Sequence, residues 1–193
     1  VLSTTISRNV AEARNDADDD NATARGGGIA VESGSRGIRF VNSTISGNRA
    51  VAQSVESGPE VEGGGAYLSS ASTPQFIAMT VTQNEVVAEG PEPIAQGAGI
   101  GMPGQALVEI YNSIVGGNIG PDETDAVGGI VSLGHNLFGS LAEASGNPTD
   151  QIGTPSAPID PRLEVLTYMG GPTETHALLA DSPAIDAGDP AFE

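Results

Sequence analysis

The 193-residue chain carries 25 acidic residues against seven arginines and no lysine, and its formal net charge of −18 disfavours nucleic acid and anionic bilayers as partners. The absence of cysteine excludes disulfides, thiolate chemistry and Cys-ligated zinc, and the absence of an 18-residue apolar run excludes a transmembrane helix. With 27 glycines, four Phe, three Tyr and no Trp, the chain needs a core that small side chains can fill.

An internal repeat starts at the first residue. Four asparagines mark it, separated by 39, 36 and 34 residues: Asn9, Asn48, Asn84 and Asn118. Apolar residues stand eight and three positions before them in two columns, Val1, Phe40, Phe76 and Ile110, and Ile6, Ile45, Val81 and Val115. Matching columns predict that equivalent residues stack on one another, the apolar ones in the core and the asparagines in a hydrogen-bonded ladder.

Each repeat consists of a glycine-rich corner and three predicted short strands. The corners are Gly26–Gly28, Gly63–Gly65 and Gly97–Gly99, and the residues that follow lack the period of an amphipathic helix. Strands that return at a fixed interval favour coils stacked about 4.8 Å apart. The sequence therefore predicts an all-β protein, a right-handed parallel β-helix in the form of a single-stranded solenoid like that of pectate lyases, with coils over residues 1–139. A sandwich or a propeller is the alternative.

Polar segments of decreasing length separate each asparagine from the next part of the repeat. They are residues 10–25, 49–62, 85–96 and 119–127, and they hold 14 of the 25 acids. Because they leave the repeat at one point, we expect solvated loops that project from one side and make that flank negative. Two acidic clusters could instead supply oxygen ligands to Ca²⁺, the only cofactor that the residues suggest: Asp16, Asp18, Asp19 and Asp20, and Asp122, Glu123 and Asp125. Neither cluster has the spacing of an EF-hand.

After Asn118 the chain changes from repeats to motifs rich in Gly and Pro. A tighter last coil is predicted over Gly128–Gly139, and residues 140–193 follow as a mostly irregular segment. We expect this segment to pack on the same domain and to cap the coils, because an open coil leaves a sheet edge that can recruit another chain. It contains the strings GGPTETHALL at residues 170–179 and SPAIDAGD at residues 182–189.

The run from Asn112-Ser113-Ile114-Val115, through Gly134-His135-Asn136-Leu137, to the two C-terminal strings resembles the choice-of-anchor Q type C-terminal part of bacterial secreted or surface proteins with right-handed β-helix repeats. The repeats themselves are similar to those of polymorphic outer-membrane proteins. The resemblance implies the fold and a secreted or cell-surface location, and it attaches no enzymatic activity to the C-terminal module. Its motif residues in this chain are His135, Asn136, Thr175, His176, Asp186 and Asp189.

The predicted strands offer little for catalysis. β-Helix lyases need carboxylates that hold Ca²⁺ and a base, and hydrolases need two or three Asp on one face, whereas the strand charges here do not repeat as a cluster. We expect both histidines to be buried and bonded to backbone, and Asp186 and Asp189 to cap turns rather than to bind a cation with His176. The sequence favours a non-catalytic structural, adhesive or assembly role. A polyuronate lyase, a glycoside hydrolase or a glycan-binding module is the alternative.

Val1 stands in register with Phe40 and Phe76, so the chain begins inside a coil. Either further coils precede it, or the open end meets another molecule, in which case head-to-tail stacking would build a filament. We therefore expect self-association through open ends of the solenoid. The other partners that we expect are a glycan and a host or neighbouring surface protein.

Overall fold

A computed structural model describes residues 1–16, 21–32, 37–69, 73–142 and 146–192 of the chain. These residues form 22 β-strands and no helix, and hence no helix long and apolar enough to cross a membrane. Twenty of the strands lie in five sheets of parallel strands, and the last two form an antiparallel pair. The all-β class and the parallel pairing that the sequence predicts are thus confirmed.

The first three coils contain five strands each, which belong in turn to sheets 1 to 5. The first coil contains β1 (Thr5–Ser7), β2 (Val10–Asn15), β3 (Thr23–Arg25), β4 (Ile29–Val31) and β5 (Arg39–Val41). The second contains β6 (Thr44–Ser46), β7 (Arg49–Ser54), β8 (Glu60–Glu62), β9 (Ala66–Leu68) and β10 (Gln75–Ile77). The third contains β11 (Thr80–Thr82), β12 (Glu85–Glu89), β13 (Ile94–Gln96), β14 (Ile100–Gly101) and β15 (Leu107–Tyr111).

The remaining strands complete the stack with shorter returns. They are β16 (Ile114–Val115), β17 (Ala126–Val127), β18 (Gly129–Gly134), β19 (Leu137–Phe138) and β20 (Gln151–Ile152), followed by the hairpin strands β21 (Thr167–Tyr168) and β22 (Glu174–Thr175). Sheet 1 has six strands in the order β1-β6-β11-β16-β19-β20. Because β20 pairs in parallel with β19, the stack extends past residue 139, the predicted end of the coils, to Ile152.

Equivalent residues of successive coils pair with each other in register. In sheet 1, Ile6 pairs with Ile45, Ile45 with Val81, and Val81 with Val115. In sheet 5, Phe76 lies between Phe40 and Ile110, and the two rings pack edge to face with centroids 5.2 Å apart. Val1 continues this second column, since its carbonyl accepts from the Val41 amide. The columns of the sequence repeat are therefore columns of neighbours in the fold.

The interior divides into two hydrophobic clusters. The larger lies between sheets 1, 4 and 5 and contains the bulky residues, among them Phe76, Leu68 and Phe138. The smaller lies between sheets 2 and 3 and consists of alanine and valine alone: Ala22, Ala24, Ala50, Ala52, Val61, Val86, Ala95 and Ala98. Sheets 2 and 3 therefore lie closer together than large side chains would allow.

This second cluster corrects the prediction of projecting loops. The segments expected to be loops contain the strands of sheets 2 and 3, which pair from coil to coil in register. The start of the sheet 3 strand lies 13, 11 and 9 positions after the start of the sheet 2 strand in the first, second and third coil. The length of the repeat therefore varies mainly in the turn between these two strands. Their acids lie on the outer faces, where arginines of neighbouring coils pair with them, as in Arg25–Glu62 and Arg49–Glu85.

The C-terminal segment runs along the outer face of sheet 1. It leaves the last coil where the Ile159 amide donates to the Gly139 carbonyl. It then forms the antiparallel hairpin of β21 and β22, whose far end reaches the first coil. One outward-facing column of sheet 1 leaves room for this segment. The column holds serine and threonine in the early coils and glycine in the last ones, at Gly116, Gly139 and Gly153.

Candidate functional site along sheet 1

The four repeat asparagines form one continuous ladder at the corner between sheets 1 and 2. The Oδ1 atoms of Asn48, Asn84 and Asn118 each accept from the backbone N–H and the side-chain amide of the preceding asparagine, at 2.9–3.1 Å. The side-chain amides of Asn48, Asn84 and Asn118 also donate to carbonyls of the preceding coil, those of Ile6, Ile45 and Val81 respectively. Asn48 and Asn84 have no exposed surface, so the ladder satisfies polar groups that water cannot reach.

An aspartate ends this ladder. The backbone N–H and the amide of Asn118 both donate to Oδ1 of Asp125 at 2.8 Å. Burial raises the pKa of the Asp125 carboxyl above its ordinary value, although the hydrogen bonds from Asn118 act in the opposite direction. A carboxylate only accepts, so it terminates the row without leaving an amide donor unpaired.

A second, shorter ladder ends in the same way at the corner between sheets 5 and 1. Oδ1 of Asn136 accepts from the Ser113 N–H, and the backbone N–H and amide of Asn136 both donate to Oδ1 of Asp150, at 2.9 and 3.2 Å. The other Asp150 oxygen accepts from the Ser132 hydroxyl and the Asn147 N–H. Asn136 thus joins successive coils.

The residues predicted as Ca²⁺ ligands lie in different environments and do not form a common site. Asp122 caps a turn, with its carboxylate accepting from the Thr124 hydroxyl and from the Gly97 N–H, whereas Asp125 is buried in the ladder and Glu123 is exposed. Asp16 is exposed as well, and Asp18, Asp19 and Asp20 lie outside the described residues. Within the described ranges, no three acidic or histidine side chains are placed so that they could hold a metal ion.

His176 fastens the C-terminal segment to sheet 1. Its Nδ1 lies 2.6 Å from the Glu164 carbonyl, which can only accept, so Nδ1 is the donor; in the neutral imidazole Nε2 then accepts from the Ser46 hydroxyl at 2.8 Å. The Thr5 hydroxyl donates to the Glu174 carbonyl in the first coil, and the Gln151 amide donates to the Pro183 carbonyl at the last. Hydrogen bonds therefore join the C-terminal segment to sheet 1 at the first, second and last coils.

Asp189 makes the corresponding contacts at the third coil. Its carboxylate accepts from the Tyr111 hydroxyl and the Ala191 N–H, and its own N–H donates to Asn112 Oδ1 at 3.0 Å. The hydrogen bond from Tyr111 lowers the pKa of Asp189 and raises the pKa of Tyr111. Asp189 therefore both caps a turn and ties the end of the chain to sheet 5.

His135 and Asp186 lie near this contact. Nδ1 of His135 is 3.2 Å from the Ala187 carbonyl, and Asp186 occupies a turn with a φ of 57°. The structure gives neither of them a hydrogen bond to His176 among the described residues. The motif residues are thus brought onto one face of the fold but not into one cluster.

Two adjoining cavities, which we call the hydroxyl groove, lie between the hairpin tip and the first three coils. Their volumes are ≈ 220 and ≈ 270 Å³, and Ser3, Pro172 and Thr173 line both. Hydroxyl side chains dominate the walls: Ser3, Thr4, Thr5, Ser7, Ser43, Thr44, Thr80, Thr173 and Thr175. Tyr168 lines the more open cavity and is 68% exposed.

Sequence reasoning singled out Thr175 in this groove but missed Thr44 and Tyr168. The threonines of sheet 1 look like ordinary outward strand residues, and only their column, Thr5, Thr44 and Thr80, sets them apart. Tyr168 has no repeat partner, since the hairpin occurs once. Its position over the first coil follows from tertiary packing, which no local pattern encodes.

Comparison of the chain with protein-family models, with curated proteins and with solved structures gave no match.

Proposed function

We propose that this chain is a non-catalytic domain of a secreted or cell-surface protein, with a structural or adhesive role, wound as a right-handed parallel β-helix. Each coil of the solenoid connects parallel neighbours of the same sheet, and such connections are right-handed in about 98% of proteins. The motifs of residues 112–190, which resemble the C-terminal part of bacterial surface β-helix proteins, support the location.

One observation carries the proposal: three of the motif residues, Asn136, His176 and Asp189, are hydrogen-bonded to other parts of the same chain. Nε2 of His176 accepts from Ser46, the Asp189 carboxylate accepts from Tyr111, and the Asn136 amide donates to Asp150. A general acid or base must instead present a proton or a lone pair to the substrate. These residues therefore act as fasteners between the coils and the C-terminal segment.

Charge argues against the polyuronate lyase that the fold also allows. A chain with a net charge of −18 repels polyanionic substrates at ordinary ionic strength. The glycan-binding alternative has a specific observation in its favour, the hydroxyl groove, because hydroxyl side chains both donate to and accept from sugar hydroxyls.

The proposal is tested by incubating the chain with neutral and acidic polysaccharides and with intact cells, and by measuring retention and cleavage side by side. We expect no new reducing ends and no unsaturated uronates, whether or not the chain is retained. Product release in proportion to the protein concentration would show that the domain is an enzyme.

A further inference from the structure

The hydroxyl groove contains a largely buried threonine whose hydroxyl bonds to no other described residue. Thr44 is 5% exposed and lines the more enclosed cavity, yet its hydroxyl has no hydrogen-bond partner in the part of the chain that the structure describes. The neighbouring Thr5 hydroxyl is bonded to the Glu174 carbonyl. The Thr44 hydroxyl oxygen is not fully buried, since the Ser140 hydroxyl is the one buried side-chain polar atom without a partner among the described residues, and a ligand in the cavity can therefore bond to it.

An aromatic side chain stands beside these hydroxyls without a packing partner. Phe40 packs on Phe76, Tyr111 packs on Phe192 and Tyr67 lies under Arg25, whereas Tyr168 has neither an aromatic nor a cationic partner among the described residues. Its ring is available to stack on a flat apolar surface, and its hydroxyl is available to bond. Rings next to clustered hydroxyl groups suit a sugar, which has an apolar face and a rim of hydroxyls.

The charges at the groove favour an uncharged ligand. Glu174 supplies a carboxylate, which Arg8 approaches to 3.6 Å. A sugar hydroxyl can donate to this carboxylate, whereas Arg8 offsets its charge locally and a uronate would be repelled by the net charge of −18 of the chain.

We infer that the hydroxyl groove binds an uncharged saccharide, which stacks on Tyr168 and bonds to Thr44 and Glu174. The inference rests on the proposed function, because it gives the adhesive role a ligand class and a place. The saccharide lies against both the hairpin tip and the first coil, so binding joins the C-terminal segment to the start of the solenoid.

The experiment screens the whole chain on an array of neutral and acidic glycans and then titrates the strongest neutral binder by calorimetry. Tyr168→Ala should weaken binding about tenfold, because the stacking surface is lost. Thr44→Val, which keeps the side-chain volume, should weaken it about fivefold through the lost hydrogen bond.

Two variants away from the groove serve as matched controls. Val165→Ala shortens a side chain that is 75% exposed and lies two residues before the hairpin, and Thr23→Val makes the same change as Thr44→Val on sheet 3. Both should bind within about twofold of the unaltered chain. Binding of acidic glycans alone, no binding at all, or equal binding by Tyr168→Ala and Val165→Ala would overturn the inference.

These outcomes are separable from failure of the proposed function. If the chain neither binds nor cleaves any glycan, the saccharide site is refuted and the structural role stands. If the chain releases sugar, the non-catalytic role is refuted whatever the groove binds.

Discussion

The asparagine ladder shows how one residue type serves two purposes at a coil corner. Each inner asparagine accepts two hydrogen bonds from the preceding coil's asparagine and donates to that coil's backbone. Leucine or serine could not do both, because the first has no polar atom and the second is too short. The ladder thereby fixes the stacking register of sheets 1 and 2.

We predict that Asn84→Ala destabilises the protein by about 3 kcal/mol or more, because two buried donors of Asn48 lose their acceptor. Asn9→Ala is the matched control. Asn9 begins the ladder, accepts from no described asparagine and is exposed, so its loss should cost less than about 1 kcal/mol. Chemical denaturation measures both values, and equal losses would contradict a ladder of linked bonds.

Asp125 makes stability depend on pH. Because burial raises the pKa of Asp125 in the folded chain, the folded state binds more protons than the unfolded state between the ordinary value and the raised one. The stabilising contribution of Asp125 to the free energy of unfolding is thus fully present below the ordinary pKa of an unfolded aspartate, about 3.9, and it is lost as the pH rises through the pKa of Asp125 in the folded chain.

We therefore predict that Asp125→Asn, which keeps an oxygen for Asn118 but adds an amide donor, becomes more stable relative to the unaltered chain as the pH rises from 4 to 7. Thermal melts across this range measure the difference in Tm. A difference that stays constant with pH would mean that the Asp125 carboxyl ionises in the folded chain as it does in the unfolded one.

At the scale of elements, the contact between the C-terminal segment and the last coils depends on glycine. A Cβ at Gly153 would lie 2.0 Å from the Gly139 carbonyl oxygen and 2.6 Å from the Ile159 nitrogen, which are backbone atoms that cannot swing aside. Sheet 1 therefore ends in glycine where the segment first packs against it.

We predict that Gly153→Ala lowers Tm by several degrees and speeds proteolysis of the hairpin, because the segment must move away from the last coil. Gly171→Ala is the control, since its Cβ would meet only the Thr173 oxygen at 4.0 Å. Gly171→Ala should leave both Tm and the cleavage rate unchanged. If both variants melt alike, close packing at Gly153 is not what holds the segment.

The elements that could be predicted from sequence are those with strong apolar columns. The Phe40 and Ile45 columns and the glycine corners predicted three of the five strands of each coil, and the asparagine spacing predicted their register. Sheets 2 and 3 were missed because their inward residues are alanines such as Ala50 and Ala52, which carry little apolar signal between charged neighbours. The course of the C-terminal segment was also beyond prediction, since it follows from bonds between residues up to 169 positions apart, such as Thr5 and Glu174.

At the scale of the whole molecule, the coils form a rod whose sides and ends differ. The outer faces of sheets 2 and 3 carry paired acids and arginines, and the C-terminal segment covers sheet 1. At the start of the stack, β2 has β7 on one side and no described strand on the other. An uncovered strand edge is the surface through which β-proteins associate.

We predict that the 193-residue chain self-associates through this edge. The backbone N–H and C=O groups of successive residues in a strand point to opposite sides. The Asn9 carbonyl accepts from the Arg49 amide of β7, so every second residue after Asn9 also faces β7. The N–H and C=O groups of Glu12, three residues after Asn9, therefore face the open side. Glu12→Pro removes an outward N–H without touching the bonds to β7, and edge strands tolerate proline.

The matched control is Glu12→Ala, which loses the same carboxylate but keeps the N–H. Light scattering over a wide concentration range should show association of the unaltered chain and of Glu12→Ala, and a monomer for Glu12→Pro. If the unaltered chain is a monodisperse monomer throughout, this edge does not recruit a second copy of the chain.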